Sequence, residues 1–188
     1  MISVTVGNVE YEYEDGTTIY EIAKDFKNYY DNDIILAVCN DKLCELSRVL
    51  TDNSKIRFIT TANHVGNECY RRSVAFMMLK AFYKIADKSS FDKISIEYSV
   101  SKGFYCKVTG NIQINKTFLS KLKKEMDALV KRDILITKET VSTTKAIQKF
   151  KRYGMEDKVR LLRYRRASSV NVYKMEGFED YFYGYMAY

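Results

Sequence analysis

Proline is absent from all 188 residues, although average usage of about 5% would predict roughly nine. Turns and element ends therefore fall to Gly, Asn, Asp and Ser. No run approaches the ~18 uninterrupted apolar residues of a membrane-spanning helix. The opening residues Met1-Ile2-Ser3-Val4-Thr5-Val6 alternate like a strand and lack the basic and small-residue signals of a secretory leader. A cytosolic chain with no membrane partner is expected. Histidine occurs once, at His64, which leaves few general bases and predicts a loop or interface role for that residue. Cys39, Cys44, Cys69 and Cys106 form no CxxC pair and no regular scaffold spacing, so reduced, structural thiols are expected.

What is present suits a folded protein of one large or two small domains: 46% of residues are apolar and 14% aromatic. Charge is uneven. Residues 1–61 hold 6 Lys+Arg against 11 Asp+Glu, whereas residues 62–188 hold 25 against 13. Two modules are indicated, the second a candidate for a polyanion such as RNA, a nucleotide or an acidic protein surface. The alternative is a well-solvated lysine surface, since most of its lysines are dispersed and not interleaved with aromatics.

In the first module, Ile2 to Val6 and Val9 to Glu14 alternate about Gly7-Asn8 and predict a hairpin. Thr17 or Thr18 can cap a helix with Glu21 reaching back, its apolar face being Ile19, Ile22, Ala23 and Phe26. Strands follow at Ile34–Val38, 42–46 and 55–60, with Asn40-Asp41 as a turn. The order predicts a half-open sheet wrapped on one helix, a β-grasp. Residues 62–67, polar and glycine-containing, read as a linker.

The second module, 68–188, opens on a helix over 69–86. Apolar residues at 74, 75, 78, 79, 82 and 85 recur at helical spacing, and Arg71, Arg72, Lys80 and Lys84 fall largely off that stripe. Strands are expected at Ile94–Val100 and 104–109 about a Ser101-Lys102-Gly103 turn. A helix capped by Asn115 or Thr117 runs to Lys131, with Phe118, Leu119, Leu122, Met126, Leu129 and Val130 inside. A strand at 134–141, a helix from Thr143 ended by Gly154, a helix over 157–165 and a strand at 170–175 complete an α+β chain: an antiparallel sheet covered by helices.

Three resemblances attach to these residues. Asp15-Gly16-Thr17-Thr18, Ile22-Ala23 and Ala37 through Leu46 resemble the TGS domain of threonyl-tRNA synthetases, a module that implies RNA contact or ligand sensing and no chemistry of its own. The Gly103-Phe104-Tyr105-Cys106 turn, with the helix around Met126 and the strand after it, is similar to the editing-type second additional domain of threonyl- and alanyl-tRNA synthetases. In that family HSxAH and CxxxH motifs supply zinc or catalytic ligands. They fall here on Arg72, Phe76, Phe182 and Met186, so the resemblance implies a degenerate metal site. Arg holds its proton and Phe has no lone pair to offer.

The segments around Arg71-Arg72 and 157–162, with Asp180-Tyr181-Phe182-Tyr183-Gly184-Tyr185-Met186, also look like the N-terminal half of bacterial uridine kinase-like nucleoside kinases. This implies a larger parent whose P-loop kinase domain, with ATP and magnesium, lies beyond Tyr188. No G-x-x-x-x-G-K-S/T occurs within the chain, so no cofactor is expected here, and the chain's own kinase domain becomes a candidate partner.

No catalytic residue is assigned. Candidate binding residues are Arg71 and Arg72 with Tyr181, Tyr183 and Tyr185, which could hold an anionic or stacking ligand such as a nucleotide or an RNA 3′ end. The alternative is that Phe76, Phe182 and Met186 fill the old metal cavity as core. Arg160, Arg163, Tyr164 and Arg166 form a second basic candidate, for RNA or for pairing at a domain surface. The function expected is a non-catalytic binding or regulatory module of a larger kinase-like protein. The alternative is a metal-free tRNA-editing hydrolase or a threonyl-tRNA synthetase-related RNA-binding protein.

Overall fold

The structure, a computed structural model, describes residues 1–101 and 103–188; the expected turn residue Lys102 lies outside them. The chain is mixed α+β, with three sheets and five α-helices among the described residues. It divides into two compact units, Met1–Ser73 with Leu135–Tyr188 and, inserted between those segments, Val74–Ile134.

The first unit begins with strands β1 (Ile2–Val6) and β2 (Val9–Tyr13), paired from Ile2 with Tyr13 to Val6 with Val9. Helix α1 (Ile19–Phe26) starts at Thr18, not Thr17: Thr18 Oγ1 accepts from the Glu21 amide at 3.2 Å, and the Glu21 carboxylate accepts from the Thr18 amide at 2.8 Å. This reciprocal pair satisfies two amides that a helix start otherwise leaves open. Strands β3 (Ile34–Cys39) and β4 (Lys42–Glu45) turn at Asn40 and Asp41, both in the left-handed region that these side chains tolerate. Strand β5 (Ser54–Thr60) runs parallel to β1 and antiparallel to β3, giving the order β2-β1-β5-β3-β4. The sheet closes over α1 through Val4, Ile22, Phe26, Ala37, Ile56 and Phe58, all buried.

Helix α2 (His64–Ile85) begins inside the stretch expected to be a linker. Asn63 supplies the start: its Oδ1 accepts from the Thr60 amide at 2.9 Å and its carbonyl from the Asn67 amide at 2.8 Å. The polar residues there form a helical first turn, a pattern that composition reads as a loop. A Cβ at Gly66 would lie 2.1 Å from the Thr60 carbonyl oxygen, so only glycine lets the helix leave β5 this closely.

The chain returns to the first unit with β8 (Thr137–Ser142), α4 (Thr143–Arg152), α5 (Glu156–Tyr164), β9 (Ser169–Met175) and β10 (Phe178–Tyr181). The order is β10-β9-β8, all antiparallel. Strand β8 starts three residues later than the expected 134, because Asp133 takes a positive φ and the chain turns after the preceding helix. Phe150, Val159, Leu162, Val172 and Tyr181 form the core beneath α4 and α5.

The second unit holds the later part of α2, the two-stranded sheet β6 (Phe91–Val100) with β7 (Gly103–Gly110), and α3 (Lys116–Lys131). Asn115, not Thr117, caps α3, its Oδ1 accepting from the Phe118 amide at 2.9 Å. Phe82 meets Phe91 and Phe118 edge-on at 5.1 and 5.5 Å, a geometry that aromatic quadrupoles favour. Among the described residues no helix is long and apolar enough to cross a membrane.

Candidate functional site

Three elements of the first unit meet around Glu45, the last residue of β4. Its side chain is only 6% exposed, yet three donors reach it: the Tyr173 hydroxyl at 2.8 Å, the Met186 amide at 3.0 Å and the Lys138 ammonium. Tyr173, on β9, is also 2.6 Å from the Gly184 carbonyl, so its one proton serves two acceptors. Burial first, and the Glu45 carboxylate second, push the Tyr173 phenol well above the usual tyrosine range. A buried carboxylate is tolerated because its lone pairs are filled.

The terminal residues continue onto the start of α2. The Arg72 guanidinium donates to the Tyr185 carbonyl at 2.7 Å, and a Cβ at Gly184, where φ is +104, would lie 2.8 Å from the Arg72 Cζ. Ser73 donates to the Cys69 carbonyl at 2.8 Å and accepts from the Ala187 amide at 2.7 Å. Tyr185 and Ala187 pack against the buried cluster of Ile35, Leu36, Ile59 and Cys69. Burial pushes the Cys69 thiol up to about 11, so it is a protonated core residue and a poor nucleophile.

A second cluster lies at β10. Asp180 is buried beside Lys158, whose ammonium is 3.2 Å from its carboxylate and 3.3 Å from the Tyr181 carbonyl. Burial pushes the Asp180 carboxyl up to about 6 even though the Lys158 charge pulls it down. The Arg165 guanidinium lies 5.4 Å from the Tyr181 ring and 5.3 Å from the Tyr183 ring. The Tyr181 hydroxyl is buried without a hydrogen-bond partner among the described residues.

The candidate residues are thus distributed over several settings. Arg72 meets the backbone of Tyr185, while Tyr181 and Tyr183 gather on Arg165. Arg71 is half-buried on α2. Arg160 and Arg163 share an exposed face of α5, and Tyr164 and Arg166 follow, exposed, with Tyr164 at 88% and Tyr183 at 77%.

Of the positions the resemblance assigns to metal ligands, Met186 is buried with its sulfur 3.6 Å from Ser73 Oγ, Phe182 is half-buried, and Phe76, in the second unit, is fully buried. A guanidinium, two phenyl rings and a thioether do not fit a zinc site. Among the described residues no group of three or more His, Cys, Asp or Glu is placed to hold a metal.

Glu45, Lys138 and Tyr173 were not legible as site residues. Glu45 reads as the solvated half of an alternating strand, and nothing local marks a partner 128 positions away. Arg165 could have been found, since it sits in the same basic run as Arg163 and Arg166.

No protein-family model matches the chain. Its sequence is similar to those of threonine–tRNA ligases. It is 28% identical over 164 residues to the ligase of Carboxydothermus hydrogenoformans, covering 87% of this chain and 25% of that protein. To the ligase of Thermotoga neapolitana it is 28% identical over 172 residues, covering 91% and 26%. To that of Pelodictyon phaeoclathratiforme it is 28% identical over 168 residues, covering 88% and 25%. The chain is thus threonyl-tRNA synthetase-like over most of its length and spans about a quarter of the relatives it matches.

Proposed function

We propose that this region is a non-catalytic, RNA-contacting module related to the threonine–tRNA ligases, with structured tRNA as its ligand class. The observation that carries the reading is the exposed basic and aromatic surface at the end of α5, where Arg160, Arg163, Tyr164 and Arg166 stand clear of the core. Guanidinium groups there suit phosphates, and an exposed phenol suits a base. Within this reading residues 1–61 are a TGS-like β-grasp domain, 62–67 a connector, and 68–188 a domain of the synthetase editing type whose zinc chemistry is abandoned. Arg72 is turned from ligand position to structural clamp, and the module acts in the cytosol.

The relatives named above are ligases, so they lend nothing to a uridine kinase-like parent with ATP, magnesium and an intramolecular kinase partner. Reading the gene beyond Tyr188 separates the two parents: a P-loop favours the kinase, and synthetase catalytic sequence favours the ligase. The test of the module itself is a gel shift with tRNA across a salt series. Affinity is expected to fall steeply with salt, and an affinity insensitive to salt overturns the electrostatic reading. The hydrolase alternative is tested by deacylation of mischarged tRNA, where turnover above background that Arg72→Ala abolishes would restore it.

A further inference from the structure

The hairpin of the second unit carries an exposed aromatic face of its own. Register pairs Ile94 with Val108 and Ile96 with Cys106, and these alternate with Ser95 opposite Lys107. A bulge between Ile96 and Tyr98 inserts Glu97 as an extra residue, and a bulge re-aims the side chains beyond it. Tyr98, which simple alternation would put with Ile94 and Ile96, instead pairs with Tyr105 on the opposite face. There the two rings stack, with centroids 5.0 Å apart and planes at 20°. They remain 59% and 46% exposed. The face is the outer side of a sheet of only two strands.

We propose that this stacked pair is a binding platform for an unpaired nucleobase of single-stranded RNA. Two features favour RNA as occupant. A flat, exposed ring offers its face to any base, an interaction worth about 1–3 kcal/mol per base. The unit that carries it is basic, as a polyanion partner requires: residues 74–134 hold 12 Lys+Arg against 6 Asp+Glu. Lys107 stands two residues beyond Tyr105 on the same face, about 7 Å along the strand, within reach of the phosphate of a base stacked there. The Glu97 carboxylate, next to Tyr98 in sequence, accepts from Ser95 Oγ at 2.6 Å, so phosphate contact belongs at the Lys107 end. The proposal rests on the RNA reading above and adds to it a second contact, for unpaired strand, remote in sequence from Arg160–Arg166.

The test is fluorescence anisotropy of the full chain with labelled oligouridine, and separately with tRNA. Tyr98→Leu/Tyr105→Leu is expected to weaken oligouridine binding about tenfold, and Tyr98→Phe/Tyr105→Phe, which keeps both rings, to bind like the wild type. If tRNA binds through Arg160, Arg163 and Arg166 but the leucine pair leaves oligouridine affinity unchanged, the platform is overturned and the RNA reading stands. If neither RNA binds, both fall. Should the leucine pair fail to fold, photocrosslinking of iodouridine-substituted RNA to the wild type decides: adducts within 98–105 support the platform, and adducts elsewhere alone overturn it. A concentration-dependent dimer dissolved by the leucine pair would assign this face to a second copy of the chain and also overturn it.

Discussion

Arg72 on α2 and Tyr185 near the terminus, 113 positions apart, are joined by one charge-assisted hydrogen bond of 2.7 Å from guanidinium to carbonyl. Gly184 lies beneath the same guanidinium. Arg72→Ala removes the donor and leaves a part-buried carbonyl to find another, so a loss of about 1–3 kcal/mol is expected. Hydrogen exchange should quicken at 184–187 before the rest of the first unit. Unchanged protection there would show that the clamp does not hold the segment.

Gly184→Ala tests the same contact from the other side. The added methyl would meet the guanidinium and occupy a φ that L-residues avoid. The expected result is destabilisation of about 1 kcal/mol or more, with part of it relieved in the Arg72→Ala background. A melt in which the two effects simply add would deny the contact.

Glu45 and Tyr173 offer a double-mutant cycle. Glu45→Ala strips the acceptor from Tyr173, Lys138 and the Met186 amide together and should cost about 3 kcal/mol. Tyr173→Phe removes one donor and should cost about 1–2 kcal/mol. The double variant should cost less than the sum of the two singles by at least about 0.5 kcal/mol. Chemical denaturation of the four proteins measures it, and a zero coupling would break the network into independent contacts.

Asp180 has a folded value near 6 against an ordinary 3.8. A carboxyl raised on folding keeps its proton in the native state while the unfolded chain has lost it, so its contribution to stability is full below pH 4. It is lost as pH rises through 6. The loss amounts to at most about 3 kcal/mol. Asp180→Asn should flatten that part of the profile, read as the difference between variant and wild-type stability from pH 4 to 7. Parallel profiles would place the titration elsewhere, since Glu139 and Glu179, held low by lysine partners, act in the opposite direction.

Arg160→Ala, Arg163→Ala and Arg166→Ala should leave the melting temperature unchanged, because all three are exposed. Each should reduce the slope of log affinity for tRNA against log salt by about 0.7–0.9 if it contacts one phosphate. An unaltered slope in the triple variant would remove α5 from the interface.

How much of this was legible follows the range of the interactions. The Thr18–Glu21 cap, the Asn40-Asp41 turn and the strands of the first sheet rest on neighbours or on period-two patterning, and a sequence shows both. The start of α2 was missed because Asn63 and Gly66 act through Thr60, a fold contact that polar composition hides. Strand β10 was missed because Phe178–Tyr181 gains its identity from pairing with β9. The settings of Tyr181, Tyr183 and Tyr185 depend on Arg165, Lys138 and Arg72, brought near only by tertiary structure. Their shared spacing in the sequence suggested one pocket where the fold makes separate contacts.

The first unit is assembled from two separated lengths of chain, with Val74–Ile134 inserted between them, so its two halves leave the ribosome at different times. The inserted unit is contiguous and closes short loops, so it is free to form as soon as it leaves the ribosome. The sheet around α1 is complete by Thr60, yet Glu45 must wait for Tyr173 and Met186 before its carboxylate is satisfied. Until residues 185–187 emerge, the apolar cluster of Ile35, Leu36, Ile59 and Cys69 lacks the cover of Tyr185 and Ala187, and a chaperone able to recognise it has its opportunity in that interval.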